Sequence, residues 1–169
     1  MLVYRMEHPT DQRGPFRPLL DPLIEIGMAK PPSYSLYSKE SDLDEFITEV
    51  KGETYKGGRS VSEKAPSPGH EVDEALRRGD RDRIAKFREV SMDSTMSDYR
   101  NAPTDLLYGT ADPQQFVRWF TPRAQEIAAK YGYKQAVYEV PDDHVAPLYT
   151  QVAFKRKDAR LVEYRALAA

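Results

Sequence analysis

The chain contains no cysteine. That excludes a disulfide scaffold, a thiol nucleophile, an iron–sulfur cluster and every thiolate zinc site. Histidine is scarce, with three in 169 residues. His8, His70 and His144 show no HxH, HxxxH or HExxH spacing, so the fold alone would have to assemble any histidine metal site. Apolar runs are only a few residues long, as in Leu19-Leu20 and Leu23-Ile24, against the roughly 20 needed for a spanning helix. The opening Met1-Leu2-Val3-Tyr4-Arg5 carries no export-type apolar region, and Leu at position 2 excludes the myristoylation pattern. The expectation is a cytoplasmic protein. An excess of one charge is also missing: 25 Lys+Arg meet 27 Asp+Glu, for a net charge of -2. That argues against a dedicated nucleic-acid coat protein. Gly57-Gly58 and Gly109 match neither a P-loop nor a dinucleotide fingerprint, and no GxSxG occurs.

What is present is a lean but globular composition, 40% hydrophobic and 11% aromatic, with 13 Pro and 9 Gly between the periodic segments. Leu2 to Met6 is rich in strand formers. Ser41 to Val50 reads as a helix capped by Ser41. Its Leu43, Phe46, Ile47 and Val50 form one apolar stripe, and Gly52 stops it. Residues 52–70 hold only Tyr55 and Val61 as bulky hydrophobes, so a mobile loop is expected there unless a partner holds it. Glu71 to Val90 reads as two short helices broken at Gly79, with Val72, Ala75, Leu76, Ile84, Ala85 and Phe87 as their apolar positions. Asp112, Pro113 and Gln115 start another helix, which Thr121-Pro122 either kinks or restarts. Strands follow at Ala136–Val140, Thr150–Phe154 and Leu161–Leu167. The pattern predicts a single α+β domain over residues 1–169. Its small, mostly antiparallel sheet joins the N-terminal strand to the C-terminal ones, backed by the Trp119 helix, with a long irregular insertion between.

The N-terminal segment holds the densest group of candidate binding residues. Arg5 and Glu7 share one strand face, opposite Tyr4 and Met6. They form either a solvent-side ion pair or, with His8 and Arg17, a convergent anion site; Arg13, Glu139 and Gln151 complete the candidate set. Asp142-Asp143-His144 reads as a solvated turn. The basic stretch Arg77–Arg88 alternates with acids, as on a solvated helix face. A nucleic-acid surface would interleave aromatics, and only Phe87 is there. The Lys155-Arg156-Lys157 turn is a second basic candidate of that kind.

The strings YRMEHPTDQRGPFR, YGTADPQQFVRWF, AVYEVPDD and QVAFKR resemble a set of small uncharacterised proteins encoded by bacteriophages, including phages of actinobacteria. The resemblance covers roughly residues 2–17 and 106–162. It implies a viral accessory protein acting in a host cytoplasm, and no known reaction. Tyr4-Arg5 and Tyr108-Gly109-Thr110 are also similar to the first two elements of the arginine-class mono-ADP-ribosyltransferases, a family that uses NAD. That family's late glutamate strand is represented here by Gln151-Val152-Ala153. A neutral side chain cannot stabilise the cation formed as nicotinamide leaves, and Glu139 or Glu163 could stand in only with a different strand order. The resemblance implies at most the related fold without the activity. Three functions are therefore expected in descending order. The first is an accessory protein that binds a host or viral macromolecule, without catalysis or cofactor. An NAD-binding transferase-like enzyme comes second, and a minor virion structural protein third.

Overall fold

The computed structural model describes residues 1–10, 12, 14–15, 36–52, 65–92 and 105–167. Arg13, Arg17, and the central part of the expected loop, residues 53–64, lie outside them, as do the rest of the segment 16–35 and all of 93–104. The elements are β1 (Leu2–Glu7), α1 (Glu40–Lys51), α2 (Pro68–Arg78), α3 (Arg81–Ser91), β2 (Leu106–Gly109), α4 (Pro113–Trp119), α5 (Pro122–Ala129), β3 (Lys134–Glu139), β4 (Ala146–Pro147), β5 (Val152–Lys155) and β6 (Arg160–Arg165).

The fold is α+β, and every described strand pairing is antiparallel. β1 pairs with β3, and β3 with β6, so the N-terminal strand does join C-terminal ones. The expected single sheet is in fact two three-stranded ladders: β5 leaves the others and lies between β2 and β4. Among the described residues one backbone bridge joins the ladders. Tyr4 and Thr110 exchange two backbone hydrogen bonds of 2.8 Å on the edge of β1 that β3 does not use. Gly109 permits this approach, because a Cβ there would lie 2.6 Å from Val3 Cγ1 and 2.8 Å from the Tyr4 carbonyl oxygen.

Strand alternation divides the core into two main clusters. Tyr4, Met6 and Val137 face a layer built from α1, α4 and α5, where Phe46, Phe116, Phe120 and Ile127 are buried. The Phe116 and Phe120 rings lie 5.0 Å apart, with Phe46 6.2 Å from Phe120. Val3, Ala136 and Tyr138 face the other way, into a second cluster with Leu107, Val152 and Phe154 from the second ladder. Both faces of β1 are therefore buried. A smaller cluster of Val90, Ala146 and Ala153 seats α3 on β4 and β5.

The helices follow their punctuation with some shifts. Gly52 and Gly79 end α1 and α2 in the left-handed conformation, and Asp112 and Thr121 cap α4 and α5. Thr121-Pro122 restarts the helix. Ser41 is not the cap of α1, because a 3-10 turn at Leu36–Ser38 feeds the helix and places Lys39 at its N-cap. The last residues of the expected 52–70 loop are ordered: Ser67 caps α2 and Pro68 opens it, so His70 is helical. Leu76 and Ala85 turn out to solvent rather than to the core.

Gly109→Ala is expected to cost about 1–3 kcal/mol through overpacking of the seam. Gly69→Ala, at a helical position with open space around it, should instead stabilise by roughly 0.5–1 kcal/mol. Urea unfolding of the two variants checks both signs.

Candidate functional site

Arg5 and Glu7 do form an ion pair, but not at the solvent. Both share a strand face with Val3, and that face is the second core cluster. Glu7 is 0% exposed. Its Oε2 accepts from Arg5 Nε at 2.7 Å, and its Oε1 accepts from the hydroxyls of Tyr138 at 2.6 Å and Tyr164 at 2.8 Å. A buried carboxylate is tolerable only when its oxygens are satisfied in this way. Arg5 continues the network, donating from Nη1 to the Tyr108 carbonyl of β2 at 3.0 Å. The Glu7–Arg5 pair thereby crosses the seam between the ladders. Arg156, just after β5, reaches the Tyr138 hydroxyl at 3.3 Å and grips Gln12. Among the described residues, two guanidiniums and one carboxylate meet in this cluster.

These contacts set the proton affinities. Burial pulls the Arg5 guanidinium below its ordinary pKa, against the attraction of Glu7. Burial, then the hydrogen bond to Glu7, pushes the Tyr138 phenol up to about 12. Tyr164 is raised for the same reasons in the same order.

The other candidate residues lie elsewhere. His8 is buried on the helix side, with Nε2 donating to the Tyr131 carbonyl at 2.7 Å and Nδ1 accepting from the Thr10 amide at 3.1 Å. Glu139 lies on the solvated end of the sheet, paired with Arg160 at 2.8 Å. Gln151 is buried with Glu71, donating to that carboxylate and to the Pro66 carbonyl at 3.1 Å. Glu71 also accepts the Thr150 amide at 2.5 Å, so it fixes the turn before β5. Of the candidates among the described residues, Arg5 and Glu7 alone are brought together, and Arg13 and Arg17 lie outside those residues. Of the residues that complete their site, Tyr138 and Tyr164 escaped the sequence reading, as did Glu71, and Arg156 was read only as part of a basic turn and not as a partner of this site.

The basic segments are also taken apart by the fold. Glu74 pairs with Arg77 and Arg78, Asp80 with Arg83, and Glu89 with Lys86. Tyr149 stacks between Arg78 and Arg83, with guanidinium carbons 4.7 and 4.3 Å from its ring centre. In the Lys155-Arg156-Lys157 turn, Lys155 is buried and donates to the Met92 carbonyl, Arg156 enters the Glu7 cluster, and only Lys157 is exposed. Asp142-Asp143-His144 is the expected exposed turn, as a 3-10 turn. It adds a contact not foreseen, His144 Nδ1 to Asp158 Oδ2 at 3.3 Å. That pair lies in an open polar recess of about 230 Å³ shared with Glu89, Lys155 and Lys157. Among the described residues no group of three or more His, Asp or Glu is arranged to hold a metal ion. No described helix is long and apolar enough to cross a membrane.

Residues 1–168 match the family described as bacteriophage T4 Y00F protein. The chain belongs to that family. The phage resemblance of the two ends thus extends through the middle of the chain. No curated protein and no solved structure matches the chain. The ADP-ribosyltransferase resemblance finds no support in these comparisons. Arg5 is held by Glu7, and Gln151 by Glu71, on separate parts of this phage family fold.

Glu7→Gln breaks a buried pair and should cost about 3–5 kcal/mol in urea unfolding. The two phenols have raised folded-state pKa values, so their contribution is fully present below pH 10, the unfolded value, and is lost as pH rises towards about 12. A tyrosinate absorbance titration should show Tyr138 and Tyr164 ionising late in the wild type, together with Tyr108 and Tyr131, and in Glu7→Gln only the two that bond Glu7 should ionise earlier.

Proposed function

We propose that this member of the T4 Y00F family is a phage accessory protein that acts by binding a host or phage protein in the host cytoplasm, without a cofactor. The phage assignment rests on the family match along residues 1–168. One observation carries the binding part. Glu7, His8, Glu71 and Gln151, the buried polar side chains of β1 and of the turn before β5, are engaged by other side chains and by backbone groups inside the fold. Catalytic groups keep a donor, an acceptor or a nucleophile turned towards a substrate pocket. Glu7, Glu71 and His8 are instead committed to holding strands and turns. Function then falls to the outer surface, where chains of this size meet partners through patches of side chains set by a rigid core.

Capture of partners by the tagged chain from infected-cell lysate tests the reading. A single host or phage protein should be recovered in near-stoichiometric amount and lost when the bait is heat-denatured. Background-only recovery across several conditions would contradict the proposal. So would transfer of label from NAD to a lysate protein by the purified chain, or copies of the chain found as a fixed component of purified particles.

A further inference from the structure

The position of Arg156 follows from the end of β5. The chain leaves that strand into a 3-10 turn at Arg156–Asp158, and the Arg156 amide donates to the Asp105 carbonyl at 2.7 Å. The side chain then runs back to the Glu7 cluster. Its Nη1 donates to the Gln12 Oε1 at 2.9 Å and to the Tyr138 hydroxyl at 3.3 Å, and its Nη2 donates to the Gln12 carbonyl at 3.0 Å. Its Nε is buried and has no acceptor among the described residues.

Three features of this arrangement do not suit a purely structural arginine. A guanidinium is a rigid, always-charged fork whose best complement is a carboxylate with two coplanar oxygens. Here the fork closes on two oxygens, but both belong to neutral amides of one residue. Among the described residues the carboxylate of the cluster is that of Glu7, which already accepts from Arg5 and both tyrosines and makes no hydrogen bond to Arg156. Finally, Gln12 is exposed and adopts a φ of 59°, which side-chain-bearing residues enter at a cost. The residue that fills the fork is thus strained, neutral and open to solvent. It can be displaced without disturbing the core.

We propose that Arg156 is a carboxylate receptor for an acidic side chain of the partner protein, and that Gln12 occupies its fork in the unbound chain. Glutamine is the amide counterpart of glutamate, so the stand-in has the reach of the ligand but lacks its charge. Exchange brings a carboxylate to the Arg156 fork, while the Gln12 amide keeps its 2.7 Å bond to the His8 carbonyl. The inference deepens the binding reading by naming the chemistry of the partner, and it rests on that reading for the source of the carboxylate.

The test uses the purified chain and an acetylated, amidated triglutamate peptide, followed through the Arg156 Nε–H resonance. Triglutamine and inorganic phosphate serve as comparison probes. Saturable shifts are expected with triglutamate alone. Gln12→Gly removes the stand-in and should tighten binding about fivefold, as expected when a competing unbound state is removed. Arg156→Lys keeps the charge but loses the fork, and should weaken binding about tenfold. An equal response to triglutamine, a response to phosphate in place of triglutamate, or unchanged affinity in Gln12→Gly would overturn the proposal. Gln12 is a surface position, so that variant decides the matter even if Arg156→Lys fails to fold. Failure here leaves partner capture from lysate standing through another surface, so the two proposals fail separately.

Discussion

A single carboxylate, that of Glu7, organises the sheet. It is withdrawn completely from water and accepts three hydrogen bonds, one from β1 and one each from β3 and β6. Through Arg5 it reaches the backbone of β2, and through the Tyr138 hydroxyl it touches Arg156 after β5. An ion taken this far from water is costly on its own. It persists because each neighbouring strand supplies a donor, so the strands must be in register for the carboxylate to be tolerated. Among the described residues the two ladders share one backbone bridge, at Tyr4 and Thr110. The Glu7–Arg5 pair is the side-chain link beside it.

That arrangement also shapes what the surface can do. Satisfying Glu7 takes one arginine and two phenols, leaving the second arginine at the rim, held by an exposed glutamine. The same polar network thus has a closed end that fixes the fold and an open end that faces solvent. On the other side of the sheet, the aromatic layer of Phe46, Phe116 and Phe120 fixes the helices. A small phage protein with a rigid centre of this kind can present a charged contact without adding a domain.

Local signals in the sequence located most elements, because caps, left-handed glycines and alternation act within a few residues. Asp112-Pro113, Thr121-Pro122, Gly52 and Gly79 all behave as their chemistry requires. β2 and β4 were missed, because four and two residues are too short to show a period. The division into two ladders was missed too, since the pairing of β5 with Leu106–Gly109 is a contact between distant segments. The site was half legible. Alternation put Arg5 and Glu7 on one face, and Val3 on that same face was the available signal that the face is buried. Nothing local links Tyr138, Tyr164 or Arg156 to Glu7, because those contacts span 131, 157 and, through Tyr138, 18 residues. His8 and Gln151 looked like ligand contacts because buried structural polar groups and binding groups share the same residue types.

Native-state hydrogen exchange on the wild type and Glu7→Gln tests the central claim most directly. The amides of Tyr4 and Thr110, each bonded to the other's carbonyl, report on the seam between the ladders. If Glu7 holds that seam, both amides lose protection by the same factor in the variant, together with those of β6. Protection retained at Tyr4 and Thr110, with loss confined to the end of β1 around Glu7, would show that the carboxylate serves its own strand and not the sheet.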